Sequence, residues 1–269
     1  MTALDMHGVS LSVAPVDAKL LRFIDAPCSA PAMSTGAWRV ATAASAPLIK
    51  PEASVVDDPP PPPVPGDLED TERAVKAIRA ACEAVLKAEA ELTALDEKVG
   101  DGDAGTTLAA GAKAVLEACD AGLPKGASGV AAAVARAVED SMGGSSGVLY
   151  NLGLKAAETS LRQSAGTRVP ADKAWCDAYV AFAEAITQCG GAGVGSRTMC
   201  DATLPAADVF RKGGTLAEAA SAARKGADST ASLAATHGRS AYLAEETQRG
   251  VVDPGARAVA IAFAAVASA

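Results

Sequence analysis

Three aspartates stand close together in one glycine-rich turn. They are Asp96, Asp101 and Asp103, and Gly100, Gly102 and Gly105 separate or follow them. Carboxylate oxygens are the ligands that hard divalent cations such as Mg²⁺ prefer. A helix is predicted to begin near Ala104, and its free N–H groups would accept a phosphate that the same metal touches. This turn therefore predicts a joint site for metal and phosphate.

The aspartate turn has two other interpretations. A plain Asp-Gly turn at the surface would use the same residue types and stays open on composition alone. A calcium loop of the EF-hand type is excluded, because counting Asp101 as its first position puts Ala112 where a bidentate glutamate is required.

A second Gly/Ser turn, residues 142–147, also leads into a predicted helix. The hydroxyls and amides of Ser145 and Ser146 could hold phosphate oxygens. A serine that caps a helix after glycines would look the same, so the two interpretations are balanced. By its residue type, Met199 in a third stretch, residues 195–202, is more often a core residue than a ligand contact.

The fourth stretch combines residues 238–243 with Asp253 and Pro254. An Asp-Pro pair is typical of a helix N-cap followed by proline at the first helical position. Together, four glycine-bearing turns at helix ends could surround one nucleotide. The sequence contains no G-x-x-x-x-G-K-[ST] motif and no set of protein-kinase motifs, so two common nucleotide-site designs are excluded.

Candidate acid–base residues are scarce, since His237 is the only histidine after the leading segment. A lone histidine near a turn is more often structural or exposed than a catalytic base. Phosphoryl transfer tolerates this scarcity, because positioning and charge neutralisation supply most of its rate. Acyl or glycosyl transfer would not.

Composition indicates what positions these residues. The 269 residues are 49% hydrophobic but only 3% aromatic, which favours closely packed helices over a sheet and predicts an all-α protein. The net charge of −8 without a basic cluster excludes the basic surface that binds nucleic acids. No apolar run approaches the ~20 residues of a membrane span. Six cysteines without a C-x-x-C pair indicate reduced thiols in a cytosolic chain.

Proline divides the chain, because 11 of the 15 prolines lie in residues 1–66. The run at 59–63 cannot form a helix and predicts a stiff spacer within a linker of residues 39–66. Residues 1–38 are too few to form a core and are predicted to be the tail of another domain. Residues 67–269 are predicted to be the main domain.

That domain is predicted to be all helical. Asp67 or Asp70 would cap a first helix whose apolar stripe, from Val75 to Leu92, continues into Asp96. A carboxylate on this core-facing stripe is costly unless it meets a cation. Seven more helices are predicted near 104–121, 126–141, 146–164, 171–188, 198–212, 215–234 and 254–268. Short connections predict antiparallel neighbours in a closed bundle or barrel of eight helices, with ligand sites at one rim.

The motifs in residues 100–107, 142–147, 197–202, 238–243 and 253–256 resemble, in the same order, those of the ATP-binding domain of dihydroxyacetone kinases. The resemblance implies a closed barrel of eight antiparallel helices that holds ADP or ATP at one rim with two Mg²⁺ ions. Asp96, Asp101 and Asp103 would be the metal ligands. The implied nucleotide contacts are Ala104, Gly105, Thr106, Thr107, Ser145, Ser146, Gly190, Met199, Arg239, Asp253, Pro254 and Gly255.

Residues 7–13 and 20–27 resemble the end of the substrate-binding domain of the same family. That domain holds dihydroxyacetone on a histidine, so the implied partner is a substrate-binding domain or subunit that carries a small keto-sugar or triose and supplies the base. No catalytic residue is then assigned within this chain.

Alternative functions stay open at this point. They are a non-catalytic ADP-holding subunit of a phosphoenolpyruvate-driven system, a truncated inactive fragment, and an FAD-cyclising side activity that some relatives show. A homodimer is also left open.

Overall fold

Small residues let the helices of this chain approach closely. The computed structural model describes residues 17–19, 22, 64–68 and 71–269. In this structure a Cβ added to Gly226 would lie 1.8 Å from the backbone oxygen of Asp201. Alanines with no exposed surface, such as Ala223 and Ala227, line the same helix. Helix against helix, rather than helix against sheet, is therefore the packing that this composition supports.

The chain divides into two units, Met1–Asp57 and Asp58–Ala269. In the first unit, residues 18, 19 and 22 are helical, and the other predictions for residues 1–63 lie outside the described residues. Two 3₁₀ turns, Thr230–Ser232 and Arg239–Tyr242, accompany the α-helices of the second unit. These helices are α1 (Glu72–Lys87), α2 (Glu89–Val99), α3 (Ala104–Ala121), α4 (Ala127–Ser141), α5 (Gly144–Ser164), α6 (Ala171–Gly190), α7 (Cys200–Arg211), α8 (Leu216–Ser229), α9 (Glu245–Gln248) and α10 (Pro254–Ser268).

The described residues contain no strand, which confirms the all-α prediction. Helix α1 packs on α3, each of α3 to α7 packs on the helix that follows it, α8 packs on α10, and α10 packs on α1. These contacts form a cycle of eight helices, and α2 lies against α3 and α10 beside it. The closed barrel itself stays a prediction. No helix in the described part of the chain is both long and apolar enough to cross a membrane.

Five aromatic side chains gather in one part of the core. Tyr179 of α6 lies 5.0 Å, centroid to centroid, from Phe263 of α10 and 5.8 Å from Phe182. Phe210 at the end of α7 and Tyr150 of α5 complete the group. Buried alanines of α7, α8 and α10 fill the space around these rings, so large and small side chains share this part of the core.

The first predicted helix is two helices, so the prediction of one continuous element is wrong at Ala88. This residue has φ −94° and ψ 3°, outside the range of a regular α-helix, and its N–H donates to the carbonyls of both Ala84 and Val85. Counted together, α1 and α2 occupy the place of the first predicted helix. The four-residue helix α9 is not among the helices predicted from the sequence.

Asp67 does not cap the first helix. Its carboxylate accepts hydrogen bonds from the backbone N–H and the hydroxyl of Ser128, at 3.1 and 2.7 Å, and so caps α4 instead. The N-cap of α1 is Thr71, which makes no side-chain capping bond, and Asp70 lies outside the described residues. Gly66 accepts a hydrogen bond from the N–H of Gly166, which attaches the start of the second unit to the end of α5.

Candidate functional site

The structure brings the three aspartates of the first turn together. Their carboxylate oxygens, one from each residue, all lie within 4.8 Å of one another. Asp96 sits in the last turn of α2 and is 7% exposed, whereas Asp101 and Asp103 lie on the loop to α3 and are exposed. The buried position of Asp96 on a core-facing stripe is as predicted.

Glycines and backbone hydrogen bonds shape this loop. A Cβ on Gly100 would lie 2.0 Å from Oδ1 of Asp96, so a side chain there would displace the carboxylate. The other oxygen, Oδ2, accepts a 3.0 Å hydrogen bond from the N–H of Ala104. Gly102 has φ +79°, a left-handed conformation that favours glycine. The Asp96 carboxylate therefore ties the end of α2 to the first residue of α3.

The charges around the loop favour a cation. Desolvation, and then the neighbouring charge of Asp101, raise the pKa of Asp103, while the guanidinium of Arg239 partly opposes this rise. Nη1 of Arg239 lies 2.6 Å from Oδ2 of Asp101. Three converging carboxylates with hard oxygen donors fit a divalent ion such as Mg²⁺, because the ion would offset their mutual repulsion.

The predicted phosphate contacts Ala104 to Thr107 form the first turn of α3. Thr107 donates its N–H to the carbonyl of Asp103 at 2.9 Å, and the hydroxyl of Thr106 donates to the same oxygen. A Cβ on Gly105 would lie 2.1 Å from Oγ1 of Thr93, so glycine allows α3 to begin against α2. The positive end of the α3 dipole is thus fixed beside the aspartates.

Ser145 and Ser146 lie inside the first turn of α5, where both are exposed. The N-cap of this helix is Gly143, which makes no side-chain capping bond, so the interpretation of these serines as caps is wrong. Gly190 is the last residue of α6, and a Cβ there would lie 3.2 Å from the side chain of Leu149 in α5. The start of α5 and the end of α6 are therefore neighbours.

Asp253, Pro254 and Gly255 begin α10 in the way that the Asp-Pro pair predicts. Oδ2 of Asp253 accepts a 2.8 Å hydrogen bond from the N–H of Ala256, and Pro254 is the first helical residue. A Cβ on Gly255 would lie 3.3 Å from Cβ of Met199, so this methionine borders the start of α10. Met199 is itself 8% exposed and packs in the core, as its residue type indicated.

The Asp253 carboxylate is 8% exposed, and burial raises its pKa to about 6. The hydrogen bond from Ala256 and the charge of Arg197 lower the pKa, while the carboxylates of Asp201 and Asp96 raise it further. Helix α10 contacts α2, which carries Asp96, and Arg239 of the fourth stretch pairs with Asp101. The predicted residues of the first and fourth stretches are thus brought together.

Several polar residues around the site are buried, and the sequence motif that contains Arg197 and Asp201 gave neither of them a role. Asp201 accepts hydrogen bonds from the N–H groups of Gly195 and Thr198, at 2.6 and 2.8 Å, and so fixes the turn before α7. Arg197, in that turn, is 1% exposed and has φ +59°. Gln248 is 2% exposed, although it lies in a polar stretch that gave no signal of burial.

His237 lies beside Thr236 and near Gly191, which follows α6. Its Nδ1 lies 2.9 Å from the hydroxyl of Thr236, and a Cβ on Gly191 would lie 3.8 Å from its Nε2. Next to the aspartate turn is a pocket of about 420 Å³. It is lined by Gly100, Asp101, Arg239, Tyr242 and Leu243.

Comparisons with known proteins identify the family to which the chain belongs. The family model described as the DAK2 domain matches residues 98–268. Triokinase/FMN cyclase from Rattus norvegicus is 34% identical over 282 residues, which cover 99% of this chain and 46% of the relative. L-erythrulose 1-kinase from Mycolicibacterium smegmatis is 31% identical over 281 residues, with 99% and 47% covered. The chain therefore spans about half the length of these relatives.

One solved structure carries ligands of the predicted kind. It is the dihydroxyacetone kinase from C. freundii in complex with AMP-PNP and Mg²⁺. Its similarity has a TM-score of 0.57 and 30% sequence identity, and covers 72% of this chain and 33% of that one.

Proposed function

The chain belongs to the DAK2 domain family, and from this we propose that it is the nucleotide-binding half of a dihydroxyacetone-kinase-type phosphotransferase. In this proposal the γ-phosphoryl group of Mg-ATP passes to a small keto-sugar or triose held by a separate substrate-binding domain. The observation that carries the proposal is the convergence of Asp96, Asp101 and Asp103 beside the N-terminus of α3. Metal ligands and phosphate-binding N–H groups are thereby adjacent.

The chain's own residues would act by holding and orienting the nucleotide. Asp96, Asp101 and Asp103 would hold Mg²⁺, for which we propose two ions, and bound Mg²⁺ supplies neutralisation of phosphate charge. Residues 104–107 would border the phosphates, with the N–H groups of Gly105 and Thr106 as donors, and the hydroxyls of Ser145 and Ser146 would position further phosphate oxygens. Arg239 would add positive charge next to them.

The rest of the nucleotide would be framed by residues from three helix ends. These residues are Gly190, Met199, Asp253, Pro254 and Gly255. The contact between Met199 and Gly255 supports this assignment, because it makes the start of α10 and the turn before α7 one surface. The relatives' names refer to a triose and to L-erythrulose, which supports a small sugar as acceptor.

The acceptor and its base would come from outside residues 67–269. In this proposal residues 1–38 are the tail of a substrate-binding domain and residues 39–66 are a linker. The match of the relatives over 99% of the chain supports this division, since it includes the leading segment. The cysteines described by the structure are free thiols, which agrees with the cytosolic location that we propose.

The test is release of ADP by the purified chain, given Mg-ATP and dihydroxyacetone. It is run with and without the separately expressed substrate-binding half of the L-erythrulose kinase relative. We expect turnover only when that half is added. The Asp101→Asn variant should abolish it, whereas Asp120→Asn, an exposed aspartate at the other end of α3, should not.

Two results would contradict the proposal. Turnover by the chain alone would mean that it contains its own base. Absence of turnover together with ADP that survives dialysis would favour an ADP-holding subunit instead.

A further inference from the structure

The segment between α8 and α10, residues 230–253, carries Arg239 to the aspartate turn. Arg239 and Asp101 form an ion pair, but their side chains are 71% and 38% exposed. An exposed ion pair gains little free energy, because water competes for both charges and the long arginine side chain loses rotamer freedom. The ion pair alone therefore does not fix Arg239, and its backbone must be held by other contacts.

Gln248 provides such contacts from inside the segment. Its Nε2 donates hydrogen bonds to the carbonyls of Ser240 and Leu243, at 2.7 and 2.9 Å. Its Oε1 accepts a 2.8 Å hydrogen bond from the N–H of Ala235. One buried side-chain amide thus joins the backbone on both sides of Arg239. We call these three hydrogen bonds the Gln248 clamp.

The Gln248 clamp is connected to the aspartate turn. The hydroxyl of Ser240 is buried and donates a 2.7 Å hydrogen bond to the carbonyl of Val99. Val99 is the last residue of α2 and comes immediately before Gly100 and Asp101. Gln248 therefore holds Ser240, and Ser240 in turn bonds to the backbone that leads into Asp101.

Arg197 anchors the clamp in the core. Its Nη2 donates to the carbonyl of Val251 at 2.8 Å and to the carbonyl of Gln248 at 3.4 Å. The residue is 1% exposed with φ +59°, and its Nε and Nη1 have no hydrogen-bond partner among the described residues. A buried cation, a left-handed backbone and unsatisfied donors each cost free energy. Surrounding contacts must therefore hold Arg197 in this position.

We propose that Gln248 is a positioning residue for the metal and nucleotide site, which acts by holding residues 235–243 so that Arg239 faces Asp101. The inference rests on the proposed function, because it assigns Arg239 to the phosphates of a bound nucleotide. A residue that acts only through Arg239 loses its effect once Arg239 is absent.

The test is the dissociation constant of ADP in the presence of Mg²⁺, measured by isothermal titration calorimetry on the full chain. The variants are Gln248→Met, Arg239→Ala and the double variant. Methionine has a similar volume and keeps the site filled, but it makes none of the three amide hydrogen bonds. Gln163→Met is the control, since Gln163 is an exposed glutamine near the end of α5.

Loss of a charge-assisted contact to phosphate should weaken ADP binding roughly tenfold in Arg239→Ala. We expect a similar loss in Gln248→Met, no further loss in the double variant, and no change in Gln163→Met. Ser240→Ala removes only the hydrogen bond to Val99. It should weaken binding by a smaller factor, again only while Arg239 is present.

Two outcomes would overturn the proposal. One is wild-type affinity in Gln248→Met or in Arg239→Ala. The other is a double variant whose fold-loss in ADP affinity equals the product of the two single losses. This result would mean that Gln248→Met acts independently of Arg239, as a general loosening of the fold would. If Gln248→Met does not fold, as judged by circular dichroism, Ser240→Ala in both backgrounds decides the question. Failure of the proposed function is distinct, since the wild-type chain would then show no Mg²⁺-dependent ADP binding.

Discussion

Replacing the buried carboxylate of Asp253 by an amide is expected to stabilise the folded chain at neutral pH. The side chain is 8% exposed, and burial raises its pKa from 3.8 to about 6. In the Asp253→Asn variant the side-chain oxygen still accepts the hydrogen bond from the N–H of Ala256, because asparagine is a good N-cap residue. The substitution therefore removes the charge and keeps the cap of α10.

The sign and the size of this stabilisation follow from the difference in proton binding between the folded and the unfolded chain. Between pH 3.8 and about 6 the folded chain keeps a proton on Asp253 that the unfolded chain has lost. Stability therefore falls as the pH rises through this window, and the loss is complete above the folded pKa. A shift of this size corresponds to about 3 kcal/mol, of which Asp253→Asn should recover about 1–3 kcal/mol at pH 7.5.

The assay is urea unfolding followed by far-UV circular dichroism at pH 4, 5, 6 and 7.5, in the absence of divalent metal. The advantage of Asp253→Asn should be near zero at pH 4 and grow to its full size at pH 7.5. Asp201→Asn is the contrasting control. It should cost about 1–3 kcal/mol, because Asp201 is 1% exposed and an amide has only one oxygen for two backbone donors. A wild-type chain that is as stable as Asp253→Asn at pH 7.5, or a gain that does not change with pH, would refute the reasoning.

Four further substitutions test packing and capping, and the same urea unfolding at pH 7.5 measures their effects. Leu92→Ala should lower the free energy of unfolding by about 2–5 kcal/mol, because Leu92 has no exposed surface. Gly226→Ala should cost about 3 kcal/mol, since its Cβ would lie 1.8 Å from the backbone oxygen of Asp201. Gly143→Ala, with no atom within 4 Å of its Cβ, should stay within about 0.5 kcal/mol of wild type. Thr215→Ala removes a capping box and should cost about 1 kcal/mol. Equal unfolding midpoints for Gly226→Ala and Gly143→Ala would contradict the close approach of α7 and α8.

Helices bounded by glycine, proline or an N-cap residue could be predicted from the sequence. Helices α3 and α10 have the predicted bounds, 104–121 and 254–268. The break at Ala88 could not be predicted, because alanine favours helix and the apolar stripe continues on both sides. Ala88 packs with Leu92, Leu108 and Ala258, so tertiary contacts accompany the break.

Capping and burial of polar residues depended on partners far away in sequence. Asp67 is next to α1 in the chain, yet it caps α4 through Ser128, 61 residues away. Gln248 gives no apolar periodicity, and its burial results from backbone groups of residues 235–243. The residues of the aspartate turn are neighbours in sequence, so their convergence could be predicted. The Gln248 clamp around Arg239 joins residues further apart and could not be predicted.

A titration of ADP into the purified chain with and without Mg²⁺, followed by calorimetry, tests most directly whether the aspartate turn is the metal and nucleotide site. We expect binding that requires Mg²⁺ and that is lost in the double variant Asp101→Asn, Asp103→Asn, while the Asp120→Asn control binds as the wild type does. Binding of equal strength in the double variant would show that the aspartate turn is not the metal and nucleotide site.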